Sequence, residues 1–343
     1  MPSLKRLEAK CEDLEDEYEE VRKKLKWLKK ERAIKADSEG KYELEQRIED
    51  YEAKLKEIEE ELDELEKQIN QPKRAENSDL EKSQTFDLLY KSLLKLGYWE
   101  QQNVFEEIAG KYSHGVFLIQ GRSKDYGQRW LLNRLASPSI IPKILEGKNI
   151  VIDLNRTSSR TDILAIWDEF AGRVGLPEKS LPSQITEKIC DLWKSQNVLI
   201  AFNNADETIK ENLCDLLNDF WASLTQRILE EKHQQNPYKL IIFLIDYQGV
   251  ISQWNVGFIE NYNSDWQPNL PLGLPAINPF LEKDMRDWLN HHSDSLPLTM
   301  SANKTETVKV LLEKQGIPMP TLRKICDLCG CNWFEQENKW LRF

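Results

Sequence analysis

No run of apolar residues in this 343-residue sequence approaches the ~18 needed to cross a bilayer, and its N-terminus has no signal-peptide core. The expectation is a soluble, cytoplasmic chain. Histidine is scarce: His114, His233, His291 and His292 are the only four. No local Ser, His and Asp arrangement suggests a triad, so general-base and nucleophilic chemistry has few candidates. Cysteine is scarce too. Six thiols, three of them crowded near one end, do not form the pattern of a secreted disulfide framework. A clustered excess of Lys and Arg is also missing, since 47 stand against 58 Asp and Glu for a net charge of −11. That balance argues against a general nucleic-acid or anionic-membrane surface, because neutralising phosphates needs concentrated positive charge.

What the chain does have is charge concentrated at one end. Residues 1–70 hold 16 Lys+Arg and 23 Asp+Glu, net −7, while the other 273 residues carry net −4 and nearly all the tryptophan. Leu4, Leu7, Cys11, Leu14, Tyr18, Val21, Leu25 and Leu28 follow one another at alternating steps of three and four, the seam of a helix with a 3.5-residue repeat. Leu44, Ile48, Tyr51, Leu55, Ile58, Leu62, Leu65 and Ile69 form a second ladder of equal length. Ala36 to Gly40 interrupts the two with turn and capping residues, which predicts an antiparallel coiled-coil hairpin over residues 1–70. Its first helix is polarised, acidic from Glu12 to Glu20 and basic from Arg22 to Lys30. A two-helix core is narrow, and its flanks are left to recruit a partner protein or a second copy of the chain. Pro72 and the polar residues around it predict a linker over 71–78.

From Ser78, a plausible N-cap, an amphipathic helix is expected to reach Gly97, and a shorter one follows through Phe105 and Ile108. The period then changes. Continuous apolar runs at 115–119, 149–154, 198–202 and 240–246 have the form of strands buried on both faces, and amphipathic stretches near 130–135, 163–174, 185–194 and 209–229 separate them. The expected fold class is α/β, with a P-loop-NTPase-like, mainly parallel sheet flanked by helices over 79–275 and a helical C-terminal region over 276–343. Pro268 to Pro279 reads as an irregular loop, with Trp254 and Trp266 available for packing or for a partner.

Ligands of such sheets bind at the carboxyl ends of the strands, so the loop after the first strand is the place to look. It runs Gly121-Arg122-Ser123-Lys124-Asp125-Tyr126-Gly127-Gln128-Arg129. A working phosphate loop needs two glycines five positions apart, then Lys for the phosphate charge and Ser or Thr for the metal. Here the glycines are six apart, Gln128 stands in place of the Lys and Arg129 in place of the hydroxyl. The third strand ends in Asn203-Asn204 where an acidic pair would anchor a metal, and Asp246 closes the fourth, where a sensor or alternative metal carboxylate would lie. Gly121, Arg122, Lys124, Gly127, Gln128, Arg129 and Asp246 are therefore the candidate nucleotide-binding residues of an eroded site, and hydrolysis is not expected. Cys326, Cys329 and Cys331 have a spacing that suits three zinc thiolates; a complete site needs a fourth ligand, for which His291 and His292 are candidates in sequence only, and the expectation is packing rather than a metal.

Phe117 to Gly121 followed by Tyr126 to Leu135 resembles the degenerate nucleotide loop of the inactive STAND domains, pseudo-NTPases of cyanobacterial and other bacterial conflict-signalling proteins. The resemblance extends over roughly residues 80–343 and includes Gln196 to Phe202, Asp219-Phe220-Trp221, Phe243 to Tyr247 and Ile325 to Gly330. The N-terminal hairpin is similar to the coiled-coil adaptor modules that such proteins carry. The resemblance implies a scaffold that keeps partner surfaces and has abandoned turnover: a non-catalytic adaptor with no catalytic residues and no cofactor. The alternative it leaves is a switch that binds ATP or GTP with little or no hydrolysis.

Overall fold

The computed structural model describes residues 4–34, 38–230, 236–263, 265–293 and 296–343, so His233 and part of the expected turn at Ala36-Asp37 lie outside the described residues. The chain divides into two compact units, Met1–Asp87 and Leu88–Phe343. Among the described residues no helix is long and apolar enough to cross a membrane.

The first unit is a helical pair. Helix α1 spans Leu4–Ile34 and α2 spans Ser38–Leu93. Leu25, Leu28, Leu44 and Ile48 bury their side chains in one cluster, with Tyr51 and Leu55 packed against it. The cross-helix polar pairs fix an antiparallel direction: Arg32 to Glu45 at 2.5 Å, Lys29 to Glu52 at 2.6 Å, Lys54 to Glu17 at 2.8 Å and the Tyr18 hydroxyl to Glu59 at 2.7 Å. Two seams with a 3.5-residue period meet here because each helix alone would leave its apolar stripe in water.

The linker expected at 71–78 is instead helix, and Ser78 lies inside α2 rather than capping a new helix. Pro72 removes one backbone hydrogen bond at a cost of about 3 kcal/mol. The stretch beyond it, Lys73-Arg74-Ala75-Glu76 and Leu80-Glu81-Lys82, consists of strong helix formers that restart the ladder at once.

In the second unit a helix α3, Trp99–Lys111, leads into strand β1, His114–Gln120. Helix α4 is Gln128–Leu135, and strands β2, Lys148–Asp153, β3, Val198–Asn203, and β4, Leu240–Asp246, follow. Each of the four predicted apolar runs is a strand. A fifth, β5, is only Leu272–Gly273 and lies inside the proline-rich stretch read as an irregular loop. All pairings are parallel and the order is β2-β3-β4-β1-β5.

Both faces of the sheet are covered, which is why the strand sequences are apolar throughout. On one face Val116, Leu118, Ile150, Ile200, Phe202, Ile242 and Leu244 pack with Phe170, Trp193, Phe220 and Trp221 from the helices. On the other, Phe105 of α3 meets Phe117 at 5.0 Å and Phe243 at 5.4 Å between ring centroids. From β1 the chain crosses to the far edge at β2, returns through β3 to β4, and then passes β1 to place β5 on its other side. The order therefore reverses at β1, and the carboxyl ends of β1 and β4 border the crevice that such a reversal opens.

Candidate functional site

The eroded loop lies at this crevice. Gln120 of β1 is in register with Asp246 of β4, and the Gly121 N–H donates to the Asp246 carbonyl at 3.3 Å. Lys124–Tyr126 then form one turn of 3-10 helix, in which the N–H groups of Tyr126 and Gly127 donate to the carbonyls of Ser123 and Lys124 at 3.0 and 3.3 Å. These amides are spent within the loop instead of pointing into it. Gly127 enters α4 at φ 75°, and a Cβ there would lie 2.5 Å from the Tyr98 hydroxyl, which donates to the Tyr126 carbonyl at 3.1 Å.

Gln128 decides the character of the loop. Its side chain is completely buried and turns back beneath the loop, donating from Nε2 to the carbonyls of Ser123 and Asp246, both at 3.1 Å. Nε2 is so close to Gly121 that a Cβ there would stand 2.6 Å from it. The amide thus occupies the inside of the loop, and the loop directs a backbone carbonyl inward to meet it. Carbonyl oxygens repel a phosphate, whereas a phosphate cradle is built of inward N–H donors.

The three cations nearby do not converge. Arg122 is exposed, Lys124 holds its ammonium 5.4 Å above the Tyr247 ring, and Arg129 donates to the backbone oxygens of Phe343 and, at 3.4 Å, Leu341. Asp246 is buried and fully engaged: one carboxylate oxygen accepts from the N–H groups of Gln248 at 2.9 Å and Gly249 at 2.6 Å, the other from Ile251 at 2.9 Å. Burial pushes its carboxyl up and the three N–H donors pull it down, with burial the larger effect. The carboxylate is therefore the cap of the turn after β4, not a free metal ligand.

The end of β3 is polar without being acidic. Asn204, at φ 54°, donates from Nδ2 to Asp153 at 2.7 Å, and Asp153 also accepts from the Asn155 N–H at 3.0 Å. Glu207 is paired with Arg160 at 3.1 Å. The amide oxygens of Asn203, Asn204 and Gln128 and one carboxylate oxygen of Asp206 are buried with no hydrogen-bond partner. Tyr247 lies beside this edge, its hydroxyl pushed up to about 12 by burial. Asp153 was not singled out from the sequence, although it ends a buried strand in the same way as Asp246.

The weak metal candidates lie near one another, with the Cys326 and Cys331 side chains hydrogen-bonded. Among the described residues no group of three or more His, Cys, Asp and Glu side chains is arranged to hold a metal ion. Cys326 is wholly buried and its thiol is pushed up by burial; Cys329 is pushed up to about 12 by the same cause and lies 3.7 Å from the Met300 sulfur. Zinc takes thiolates, and an apolar setting favours the neutral thiol.

No curated protein and no solved structure matches the chain. A family model does: the one described as inactive STAND matches residues 93–246, from the last residue of α2 to the last residue of β4. That span contains the loop, the Gln128 amide inside it and the asparagines at the end of β3, and residues 93–246 are an inactive STAND domain.

Proposed function

We propose that this chain is a cytoplasmic, non-catalytic signalling adaptor of a bacterial conflict or stress-response system, in which the helical pair acts as a coiled-coil module that recruits a protein partner and the inactive STAND domain serves as its scaffold. The observation that carries the non-catalytic part is the Gln128 amide, which fills the loop that would hold phosphates. The charge and metal chemistry of turnover are missing at the same place, with Arg129 spent on backbone oxygens and Asp246 on a turn. Recruitment rests on the two apolar ladders and the polarised first helix, and no nucleotide is assigned a role in it.

The test is direct. Labelled ATP and GTP analogues should show no saturable binding to the full chain, and hydrolysis should stay at background. Gln128→Lys combined with Arg129→Ser should also fail to hydrolyse, because the loop remains one residue too long and Asn203-Asn204 supply no metal carboxylate. Saturable ATP binding that is lost on Lys124→Ala would overturn this reading and put a nucleotide switch in its place. Recruitment is read by affinity capture from the native host: recovery of the same proteins by the full chain and by Leu88–Phe343 alone would remove the helical pair from that role.

A further inference from the structure

The outward face of α1 carries an order of charges that the seam does not require. Counted on the 3.5-residue repeat of this helix, Asp13, Asp16, Glu19, Glu20, Lys23, Lys26, Trp27 and Lys30 all lie on the side away from the seam of Val21, Leu25 and Leu28. Every one of the eight is exposed, while those three seam residues are buried. Along the axis the face is acidic up to Glu20 and basic from Lys23 onward, over about 26 Å at 1.5 Å per residue. Among the described residues, Asp13, Asp16, Glu20, Lys23, Lys26 and Lys30 have no ion-pair partner within the chain, and Glu19 alone of the charged set is paired, with Arg22 at 3.0 Å. Trp27 is 56% exposed in the middle of the basic half.

A face with this order is complementary to itself when it is reversed. Setting a second α1 antiparallel about a two-fold axis between Val21 and Arg22 brings Asp13 opposite Lys30, Asp16 opposite Lys26 and Trp27, and Glu19-Glu20 opposite Lys23, and the same pairs recur on the other side of the axis. The outward face of α2 does not have this property. Among the described residues Glu49, Asp50, Glu57, Glu60 and Glu64 are exposed there against Lys56, so a copy of that stretch would be repelled.

We infer that the exposed face of α1 is a self-association surface, on which a second copy of this chain docks antiparallel across a two-fold axis at Val21-Arg22. This deepens the proposed interaction role of the helical pair and rests on it. Charge supplies the register and direction, and the indole of Trp27 supplies the apolar contact at the centre of each half. Because the pairs are exposed, the association is salt-sensitive: the screening length falls from roughly 14 Å at about 50 mM salt to about 4 Å at about 500 mM.

The experiment is sedimentation equilibrium of the full chain and of two charge variants. One is Lys23→Glu with Lys26→Glu and Lys30→Glu; the other is Asp13→Lys with Asp16→Lys and Glu20→Lys. None of these positions is on the seam, and circular dichroism checks that both variants keep their helix content. At about 50 mM salt the unmodified chain should be a dimer, weakened at least about tenfold at about 500 mM. Each variant alone should be a monomer, and an equimolar mixture should form a heterodimer. Trp27→Ala should weaken the unmodified dimer by about tenfold. A monomeric unmodified chain at low salt, a mixture that stays monomeric, or a lysine variant that still dimerises would overturn the inference; the last would assign self-association to another face. Capture of host proteins by the monomeric variants is read separately, so the recruiting role and the dimer fail independently.

Discussion

Asp246→Ala is expected to destabilise the second unit by about 3 to 5 kcal/mol while nucleotide turnover stays at background. The carboxylate is inaccessible to solvent and accepts three backbone N–H groups, from Gln248, Gly249 and Ile251. Hydrogen bonds to a charged acceptor contribute about 1.5 to 3 kcal/mol each, and a buried donor left unpaired costs about 1 to 3. These costs are not additive, because the turn will relax and admit water, so the expected loss is below their sum. Asp246→Asn should fall in between, since one amide oxygen replaces two carboxylate oxygens and the amide N–H₂ faces donors. Urea denaturation followed by tryptophan fluorescence reads the change as a lower midpoint at constant slope. An unchanged midpoint together with loss of a measurable hydrolysis rate would instead make Asp246 a working site residue.

The second large effect is a loss of stability in mild acid through His114. Its side chain is buried at the start of β1, with the rings of Trp193 and Trp221 each 6.0 Å away and Nδ1 3.4 Å from the Ser113 hydroxyl. Burial pushes its pKa down to about 4 from an ordinary value of 6.5. The unfolded chain therefore takes up a proton near pH 6.5 that the folded chain refuses until about pH 4. Within that window the unfolded state binds more protons, so stability is fully present above pH 6.5 and is lost as the pH falls toward 4. Between pH 8 and 5 the loss attributable to this group is about 2 kcal/mol, and it approaches about 3 kcal/mol near pH 4. Comparing pH 8 with pH 5 keeps most ordinary carboxylates ionised and confines the change largely to histidines, of which His292 is also pushed down by burial. His114→Leu should flatten the pH dependence of the urea midpoint over this range. An equally steep dependence in that variant would assign the acid sensitivity to other groups.

Some of this protein is legible in residue order alone, because the physics there is periodic or compositional. The alternating three-and-four spacing from Leu4 to Leu28 and from Leu44 to Ile69 can be satisfied only by burying two stripes together, and the structure pairs those helices antiparallel. Four runs such as Leu240–Asp246 carry no polar face, so they belong in a sheet covered on both sides. The erosion of the loop is also a matter of residue identity: a glutamine and an arginine lack the charge placement and the hydroxyl that phosphate and metal require. Other features have no local signature. Strand β5 is two residues long and exists because Leu272 and Gly273 lie beside Phe117 and Leu118. The helix through Pro72 is a competition between one lost hydrogen bond and a strong run of helix formers, and a break was the wrong expectation there. The roles at the candidate site depend on partners far away in the chain: Gln128 reaches the carbonyl of Asp246, Arg129 the backbone of Leu341 and Phe343, and Asn204 the carboxylate of Asp153. Residue order determined that the loop lacks the lysine and the hydroxyl of a working phosphate loop. Only the tertiary structure decided what occupies it instead, because a buried amide goes where its hydrogen bonds can be met, and those acceptors come together only once β1 and β4 are side by side.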